Sequence, residues 1–240
     1  MLANFAARKV RHMGVEPSAN VAEVARQRGV NTVCRFFDPA LARELVAEHG
    51  QADAVLAANV MCHIPDLQGI GEGVRLLLKP DGVLAFEDPY LGDIVEKTSY
   101  DQIYDEHAFY FSATSVSRCF ARQGLELVDV KPQDTHGGSM RYILAHQGRR
   151  PVSAAVTECM RREAAMGLSD RATYDRLRAS IERSRTELMA LLRDLKQQGK
   201  RVVGYAATSK STTVTNYCGI TPDLVEFICD TTPIKQGKLS

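Results

Sequence analysis

The sequence lacks any apolar run long enough to cross a membrane, and it has almost no excess of charge of either sign. A membrane helix needs about 20 mostly apolar residues, and no such run occurs among the 240 residues. The 30 basic and 29 acidic residues leave a formal net charge of +1, which argues against a phosphate backbone as ligand. The N-terminus lacks the layout of a secretion signal. We therefore expect a cytoplasmic protein with neither a membrane nor a nucleic acid as partner.

The six cysteines include no Cys-x-x-Cys pair, the spacing that is typical of metal and redox sites. They are scattered along the chain, and four of them stand next to apolar residues, namely Cys34, Cys62, Cys119 and Cys229. This distribution predicts buried, reduced thiols rather than disulfides, and it gives no indication of a bound metal.

The first half of the chain alternates strand-like and helix-like segments. The strand patterns lie at 10–15, 31–37, 52–59, 83–87, 125–131 and 139–146, and the helix patterns at 19–28, 39–49, 67–78 and 113–123. The mostly apolar run at 52–59 predicts a strand that is buried on both faces, and Lys79-Pro80-Asp81-Gly82 predicts a turn. The repeated β-α order predicts an α/β fold with a doubly wound sheet.

The pattern changes after Pro151. Residues 152–166 and 174–198 carry Arg, Glu, Leu and Ala at helical spacing, and they predict two exposed helices that connect domains. One β-α-β unit follows, with strands at 201–205 and 224–230. A unit of this size cannot bury its own sheet, so it must lean on another part or be incomplete. We thus predict three parts: a domain at 1–148, a helical connector at 149–198 and a partial α/β domain at 199–240.

The densest group of chemically active side chains lies between residues 99 and 112. Tyr104, Glu106 and His107 fall within four positions there, just after a strand pattern that ends in Glu87-Asp88-Pro89. A base of near-neutral pKa, a carboxylate that orients it and a phenol donor suit proton abstraction next to a carbonyl. An amphipathic segment with core tyrosines and a surface His–Glu ion pair gives the same local pattern, so this pattern leaves both interpretations open.

Further polar residues follow the strand patterns. Glu16 ends the first strand pattern, where an acid accepts hydrogen bonds from ribose hydroxyls in nucleotide-binding folds, while Ser18 is placed to cap the next helix. His63 follows the strand pattern at 52–59 and suits either a structural or a functional role. Lys210 lies in a Thr-Ser-Lys-Ser-Thr segment that opens a helix, which fits a diphosphate site or a plain helix cap. Gly137-Gly138 fits close backbone approach to a ligand or a plain tight turn.

These pieces, in this order, resemble a class I S-adenosylmethionine-dependent methyltransferase. More narrowly, the chain is similar to the C-methyltransferases that act on nucleotide-linked keto-deoxysugars. The likeness extends over nearly the whole chain, and the segments that carry it are 14–22, 59–66, 100–112, 135–139 with Arg141, and 207–220. The resemblance implies a Rossmann-like fold, S-adenosylmethionine as cofactor, a nucleotide-linked sugar as substrate, and methylation through an enolate without a metal.

The resemblance also assigns roles to single residues. It implies that His107 is the general base with Glu106 as its partner, and that Tyr104 and His63 lie at the sugar. It places the cofactor at five positions, namely Glu16, Pro17 and Ser18 for the ribose, Phe37 or its neighbour Phe36 for the adenine, and Asn59 for the methionine portion. It places the substrate at His136, Gly137, Gly138, Ser139, Arg141 and Lys210.

Two features of that family have no counterpart in the sequence. Neither a cysteine-rich zinc-binding domain nor the first strand with its glycine-rich loop precedes the segment Met1-Leu2-Ala3-Asn4-Phe5, and the last α/β unit stops at Ser240. The chain thus resembles the interior of a longer enzyme, and we expect it to bind S-adenosylmethionine weakly or not at all in isolation. Two alternatives remain: an inactive remnant that binds a nucleotide sugar, and a small-molecule O- or N-methyltransferase.

Overall fold

The structure is a computed structural model that describes residues 2–238. Its helices are α1 (Leu2–Ala7), α2 (Ala19–Gln27), α3 (Pro39–His49), α4 (Leu67–Leu77), α5 (Leu91–Lys97), α6 (Ala113–Ala121), α7 (Ala154–Met166), α8 (Arg171–Gln197) and α9 (Ser209–Cys218). Its strands are β1 (Gly14–Val15), β2 (Thr32–Val33), β3 (Ala52–Ala58), β4 (Leu78–Pro89), β5 (Leu125–Gln133), β6 (Ser139–His146), β7 (Gly204–Tyr205) and β8 (Ile228–Cys229). No helix in this range combines the length and the apolar character that a membrane crossing requires.

The strands of the described range form one mixed sheet and two small parallel pairs. The main sheet has the order β3-β4-β6-β5, in which β3 and β4 are parallel and β6 is antiparallel to both of its neighbours. The pairs are β1-β2 and β7-β8. The predicted α/β, Rossmann-like class is confirmed, although β1 and β2 pair apart from the main sheet rather than as part of it.

Helix α3 has clear signals at both of its ends. In α3, the Asp38 side chain accepts a hydrogen bond from the backbone N–H of Leu41 at 2.7 Å, Pro39 occupies the first position and Gly50 ends the helix with a φ of 76°. A proline at the start and a glycine after the end are both favourable for a helix. The predicted bounds at 39–49 therefore agree with the structure.

The strand bounds agree less well. The predicted strands at 10–15, 31–37, 201–205 and 224–230 shrink to two residues each, because only these residues are paired in register with a neighbouring strand. The turn predicted at 79–82 is wrong. Those residues belong to β4, whose pairing with β3 jumps from Ala52–Leu78 to Ala54–Val83 in a bulge.

The prediction that residues 52–59 are buried on both faces is also wrong. β3 is an edge strand of the main sheet, and its side chains alternate between the two faces. Val55 and Ala57 pack against the core, whereas Leu56 on the other face is 39% exposed. An apolar composition indicates that a strand can be buried, but it does not show whether other elements cover both of its faces.

The main core lies between the four-stranded sheet and α4, α6 and α7. Its centre is aromatic: Phe86 on β4 stacks on Tyr142 of the paired strand with ring centroids 4.9 Å apart, and Phe120 of α6 packs on Phe86 at 5.8 Å. All three side chains are fully buried. Burial of such rings is a large source of stabilisation, and here it fixes β4, whose carboxyl end carries the candidate site.

A buried carboxylate attaches the connector helix α7 to this core. Glu163 is 2% exposed, and it accepts hydrogen bonds from the backbone N–H groups of Ala113 and Thr114 at 2.6 and 2.9 Å. It also accepts one from the Tyr90 hydroxyl at 3.1 Å. A negative charge at a helix N-terminus is favourable, so Glu163 caps α6 from outside that helix.

The C-terminal unit packs against the rest of the chain. Buried Met189 and Leu192 of α8 and Cys218 of α9 form a second small core, and Tyr100 from the first half of the chain packs against it. The Tyr100 and Tyr217 rings are 5.7 Å apart. The expected burial of Cys229 is wrong: it is exposed, because β8 pairs with β7 only within the described range.

We expect Glu163→Ala to lower the free energy of unfolding by about 3 kcal/mol, because two backbone N–H groups and a tyrosine hydroxyl lose their buried acceptor. Chemical denaturation followed by circular dichroism measures this. The matched control is Glu158→Ala on the same helix, an exposed residue paired with Arg161 at 2.6 Å, which should cost far less because an exposed ion pair adds little to stability. Equal losses in the two variants would contradict the capping role.

Candidate functional site

The candidate site lies at the carboxyl ends of β3 and β4, beneath the segment 99–112. Two backbone hydrogen bonds hold that segment in place: the N–H groups of Ala108 and Phe109 both donate to the carbonyl oxygen of Cys62, at 2.8 and 3.2 Å. Cys62 belongs to the short 3-10 turn Met61–His63 that follows β3. His107, for which the resemblance implies the role of base, is thereby brought next to His63, for which it implies a place at the sugar.

His107 is the centre of an aromatic cluster. It is 8% exposed, and its ring lies 4.1 Å from the Tyr104 ring and 5.0 Å from the His63 ring. Its Nδ1 is 2.9 Å from the carbonyl oxygen of Gln102. Because a carbonyl oxygen only accepts, Nδ1 carries the hydrogen and Nε2 keeps its lone pair in the neutral ring. Burial lowers the pKa of His107 and favours this neutral form.

The expected contact between Glu106 and His107 is wrong. The Glu106 side chain is exposed and forms no hydrogen bond to His107 in the described structure. Instead, the carbonyl oxygen of Glu106 lies 2.7 Å from Nδ1 of His63. The two residues are adjacent in an irregular segment, and the backbone of Gln102, rather than the neighbouring carboxylate, orients the His107 ring.

One residue of the cluster, Gln102, is missed in the sequence analysis. Gln102 is 2% exposed; its carbonyl oxygen accepts from His107, and also from the hydroxyl of Tyr110 at 3.4 Å. The Gln102 side-chain amide donates to the carbonyl oxygen of His136. Glutamine is ordinarily a surface residue, so nothing in the sequence marks Gln102 as the link between two parts of the site.

A buried acid lies beside the cluster. Asp88 at the end of β4 is fully buried, and its carboxylate lies near the Cys62 thiol and the backbone N–H groups of Met61 and Cys62 without a hydrogen bond of good geometry in the described structure. Burial raises its pKa to about 6, and burial together with Asp88 raises the pKa of the Cys62 thiol. In the sequence, Asp88 is marked only by its position at the end of a strand pattern. Glu87 has the same mark, so the sequence does not show which of the two acids is buried.

His136 joins three distant parts of the chain. It adopts a left-handed conformation with a φ of 56°. Its Nδ1 lies 3.3 Å from Nζ of Lys210 on α9, and its Nε2 lies 3.5 Å from the side-chain amide of Asn59 at the end of β3. The structure therefore brings together three residues that the sequence predicts for one site.

The remaining residues of the His-Gly-Gly-Ser segment stabilise the turn that this segment forms before β6. Ser139 is fully buried and its hydroxyl donates to the carbonyl oxygen of Thr135 at 3.2 Å, so it does not face a ligand as expected. Gly138 lies so close to the Asp93 carboxylate that a side chain at this position would collide with it. The Gly137 carbonyl accepts from Nζ of Lys97 at 2.9 Å.

The Arg141 side chain is bound to other residues of the sheet. Its guanidinium forms an ion pair with Glu87 at 2.8 Å across the β4–β6 pair, and it also donates to the side chain of Gln133 at 3.2 Å. These contacts account for its charge within the sheet. The expectation that Arg141 contacts the substrate has no support in this geometry.

The predicted cofactor residues lie after β1 and β2. The Glu16 carboxylate accepts a hydrogen bond from the backbone N–H of Ser18 at 2.9 Å, while the Ser18 side chain does not cap α2. Pro17 between them is exposed. Phe37 packs against Gly73 and the main core, whereas 79% of Phe36 is exposed. Of the two rings, Phe36 is therefore the one that is open to a ligand.

Family models match both halves of the chain. Residues 1–130 match a methyltransferase domain, and residues 134–240 match a C-methyltransferase C-terminal domain. The C-methyltransferase NovU of Streptomyces niveus is 36% identical over 230 residues, which is 95% of this chain and 55% of that protein. The chain thus spans about half the length of this curated relative.

Among solved structures, the CcbJ methyltransferase of Streptomyces caelestis has a TM-score of 0.46 and 15% identity, and the match covers 60% of this chain and 78% of that one. A SAM-dependent methyltransferase of Anabaena variabilis ATCC 29413 has a TM-score of 0.44 and 18% identity, and the match covers 57% of this chain and 68% of that one. The methyltransferase-domain match covers more than half of the chain. The chain therefore belongs to the class I, S-adenosylmethionine-dependent methyltransferase family, and its second half carries the C-terminal domain of the C-methyltransferases.

Proposed function

We propose that the protein methylates the carbon next to the ketone of a nucleotide-linked keto-deoxysugar, with His107 as the general base. One observation carries the proposal: Nδ1 of His107 is occupied by the Gln102 carbonyl, so the lone pair of Nε2 is available in a nearly buried aromatic cluster. The 36% identity to a C-methyltransferase supports carbon as the methylated atom. The substrate class follows from the resemblance of the sequence motifs.

The residues of the cluster divide the work of removing a proton. The carbon next to a ketone is a weak acid, so a base must accept its proton while a donor stabilises the charge that develops on the oxygen. His107 accepts the proton at Nε2. Burial raises the pKa of Tyr104, which keeps the phenol protonated and able to donate a hydrogen bond to the oxygen.

His63 has a narrower role than the resemblance implies. Its Nδ1 donates to the Glu106 carbonyl oxygen at 2.7 Å, so the neutral ring presents a lone pair at Nε2. Only the protonated ring could donate from that atom. Tyr104 is therefore the donor that we assign to the ketone oxygen, and His63 packs beside the base with ring centroids 5.0 Å apart.

The side chains after β1, β2 and β3 fit S-adenosylmethionine. Ser18 donates to one oxygen of the half-buried Glu16 carboxylate, and the carboxylate keeps acceptor capacity for ribose hydroxyls. Phe36 offers an exposed aromatic face for the adenine, and the Asn59 amide lies at the tip of β3 for the methionine portion. When bound, the cofactor supplies an electrophilic methyl group. The chain's own residues hold it and provide the base.

Positive charge near His136 suits the diphosphate of a nucleotide sugar. Nζ of Lys210 lies 3.3 Å from His136 Nδ1, and Nζ of Lys97 reaches the carbonyl of neighbouring Gly137 at 2.9 Å. Lys210 is in the first turn of α9, whose N-terminal N–H groups favour anions. Gln102 connects this region to His107, which supports a substrate whose nucleotide end and reacting end lie on the two sides of Gln102.

We expect His107→Ala, in the whole protein, to slow the exchange of the substrate proton next to the ketone by about 1,000-fold or more, because general-base catalysis is lost. Proton NMR of a keto-sugar nucleotide in deuterated solvent measures the exchange without any methyl transfer. His49→Ala is the matched control, since His49 ends α3 away from the cluster. Exchange at the normal rate in His107→Ala would assign the base elsewhere.

We expect Lys210→Ala to raise the KM for a keto-sugar nucleotide by about 10- to 100-fold, which corresponds to the loss of a hydrogen bond to a charged group. The value of kcat should change less, because Lys210 binds the part of the substrate that does not react. Steady-state kinetics across substrate concentrations separates the two constants. Lys200→Ala, an exposed lysine before β7, is the control, and a KM equal in both variants would contradict the diphosphate assignment.

A further inference from the structure

Three side chains that bind soft or borderline metal ions converge at the candidate site. The Sγ of Cys62 and one ring nitrogen each of His63 and His107 all lie within 4.8 Å of one another. Thiolate sulfur and imidazole nitrogen are the ligands that Zn²⁺ and similar ions prefer. Two ligands come from the turn after β3 and the third from the segment above it, so the fold and not a sequence motif assembles the group.

Both imidazoles are oriented in the way that metal-binding imidazoles are. Nδ1 of His63 donates to the carbonyl oxygen of Glu106 at 2.7 Å, and Nδ1 of His107 donates to that of Gln102 at 2.9 Å. A metal-ligating histidine characteristically donates its other ring N–H to such an acceptor, which fixes the tautomer and the ring. In both rings the remaining Nε2 lone pair is available as a ligand.

An independent observation concerns charge. Asp88 is fully buried and neither carboxylate oxygen has a hydrogen bond of good geometry in the described structure. It lies at the end of β4, which contacts the turn Met61–His63 that carries Cys62. An isolated buried carboxylate is costly. A divalent cation bound at Cys62 would supply the buried Asp88 carboxylate with a counter-charge.

We propose that Cys62, His63 and His107 bind one divalent cation of the Zn²⁺ class. Binding replaces the S–H bond of Cys62 by a sulfur–metal bond and releases one proton to solvent, with no change in oxidation state. The three protein ligands leave a fourth tetrahedral position for water. His63 is partly exposed and provides the side from which an ion enters.

The consequence for catalysis rests on the proposed function. The cation takes up the Nε2 lone pair of His107, the same pair that accepts the substrate proton. Metal binding and proton abstraction then exclude each other, so the ion acts as a reversible inhibitor that a chelator removes.

The test is a titration of chelator-treated protein with CoCl₂, in the absence of substrate and cofactor. We expect one equivalent of Co²⁺ to produce visible d–d bands of tetrahedral intensity and a near-ultraviolet thiolate-to-Co²⁺ charge-transfer band, both abolished by ZnCl₂. Absence of these bands would overturn the proposal. The readout does not involve substrate, so it stands or fails separately from the proton-exchange test of the base.

Variants assign the bands to their ligands. Cys62→Ser should lose the charge-transfer band, while Cys119→Ser and Cys229→Ser should retain it. Because Cys62 is buried and its variant could unfold, His63→Ala provides a second measurement, with an expected loss of Co²⁺ affinity of about 10-fold or more. Wild-type spectra and affinity in folded Cys62→Ser and His63→Ala, checked by circular dichroism, would refute the site.

Discussion

The candidate site depends on one carbonyl oxygen. Cys62 accepts hydrogen bonds from both Ala108 and Phe109, and these two contacts attach the segment 99–112 to the ends of β3 and β4. Without that attachment, His107 would have no fixed relation to His63. The segment has little regular structure of its own, so its position comes from these backbone contacts and from the rings that pack beneath it.

Gln102 extends this order to the second half of the chain. Its carbonyl orients His107 and its side-chain amide holds His136, which in turn lies next to Lys210 of α9. A backbone acceptor, a side-chain donor and the left-handed residue His136 thus connect His107 to Lys210. Both halves of the chain contribute to one site, which agrees with the two adjoining family matches.

The sequence predicts the features that depend on local chemistry. Helix α3 is correct at both ends because Asp38, Pro39 and Gly50 act on their own neighbours, and His107 is singled out by the resemblance and not by the local pattern alone. Features that depend on tertiary packing are missed or wrong. Gln102 and Asp88 are buried by distant elements, the orienting group of His107 is a backbone atom, and the exposure of β3 depends on what pairs beside it.

The long helix α8 has a mechanical consequence. At 27 residues it measures about 40 Å, and Tyr217 of α9 is attached to it through a hydrogen bond to Glu182 at 2.6 Å. Glu182 lies about 17 Å from the start of α8, so a rotation of α8 by a few degrees about that end would shift the point at which α9 is attached by about 1 Å. The distance between Lys210 and His107 would therefore change with the angle of α8, without any repacking of the main sheet.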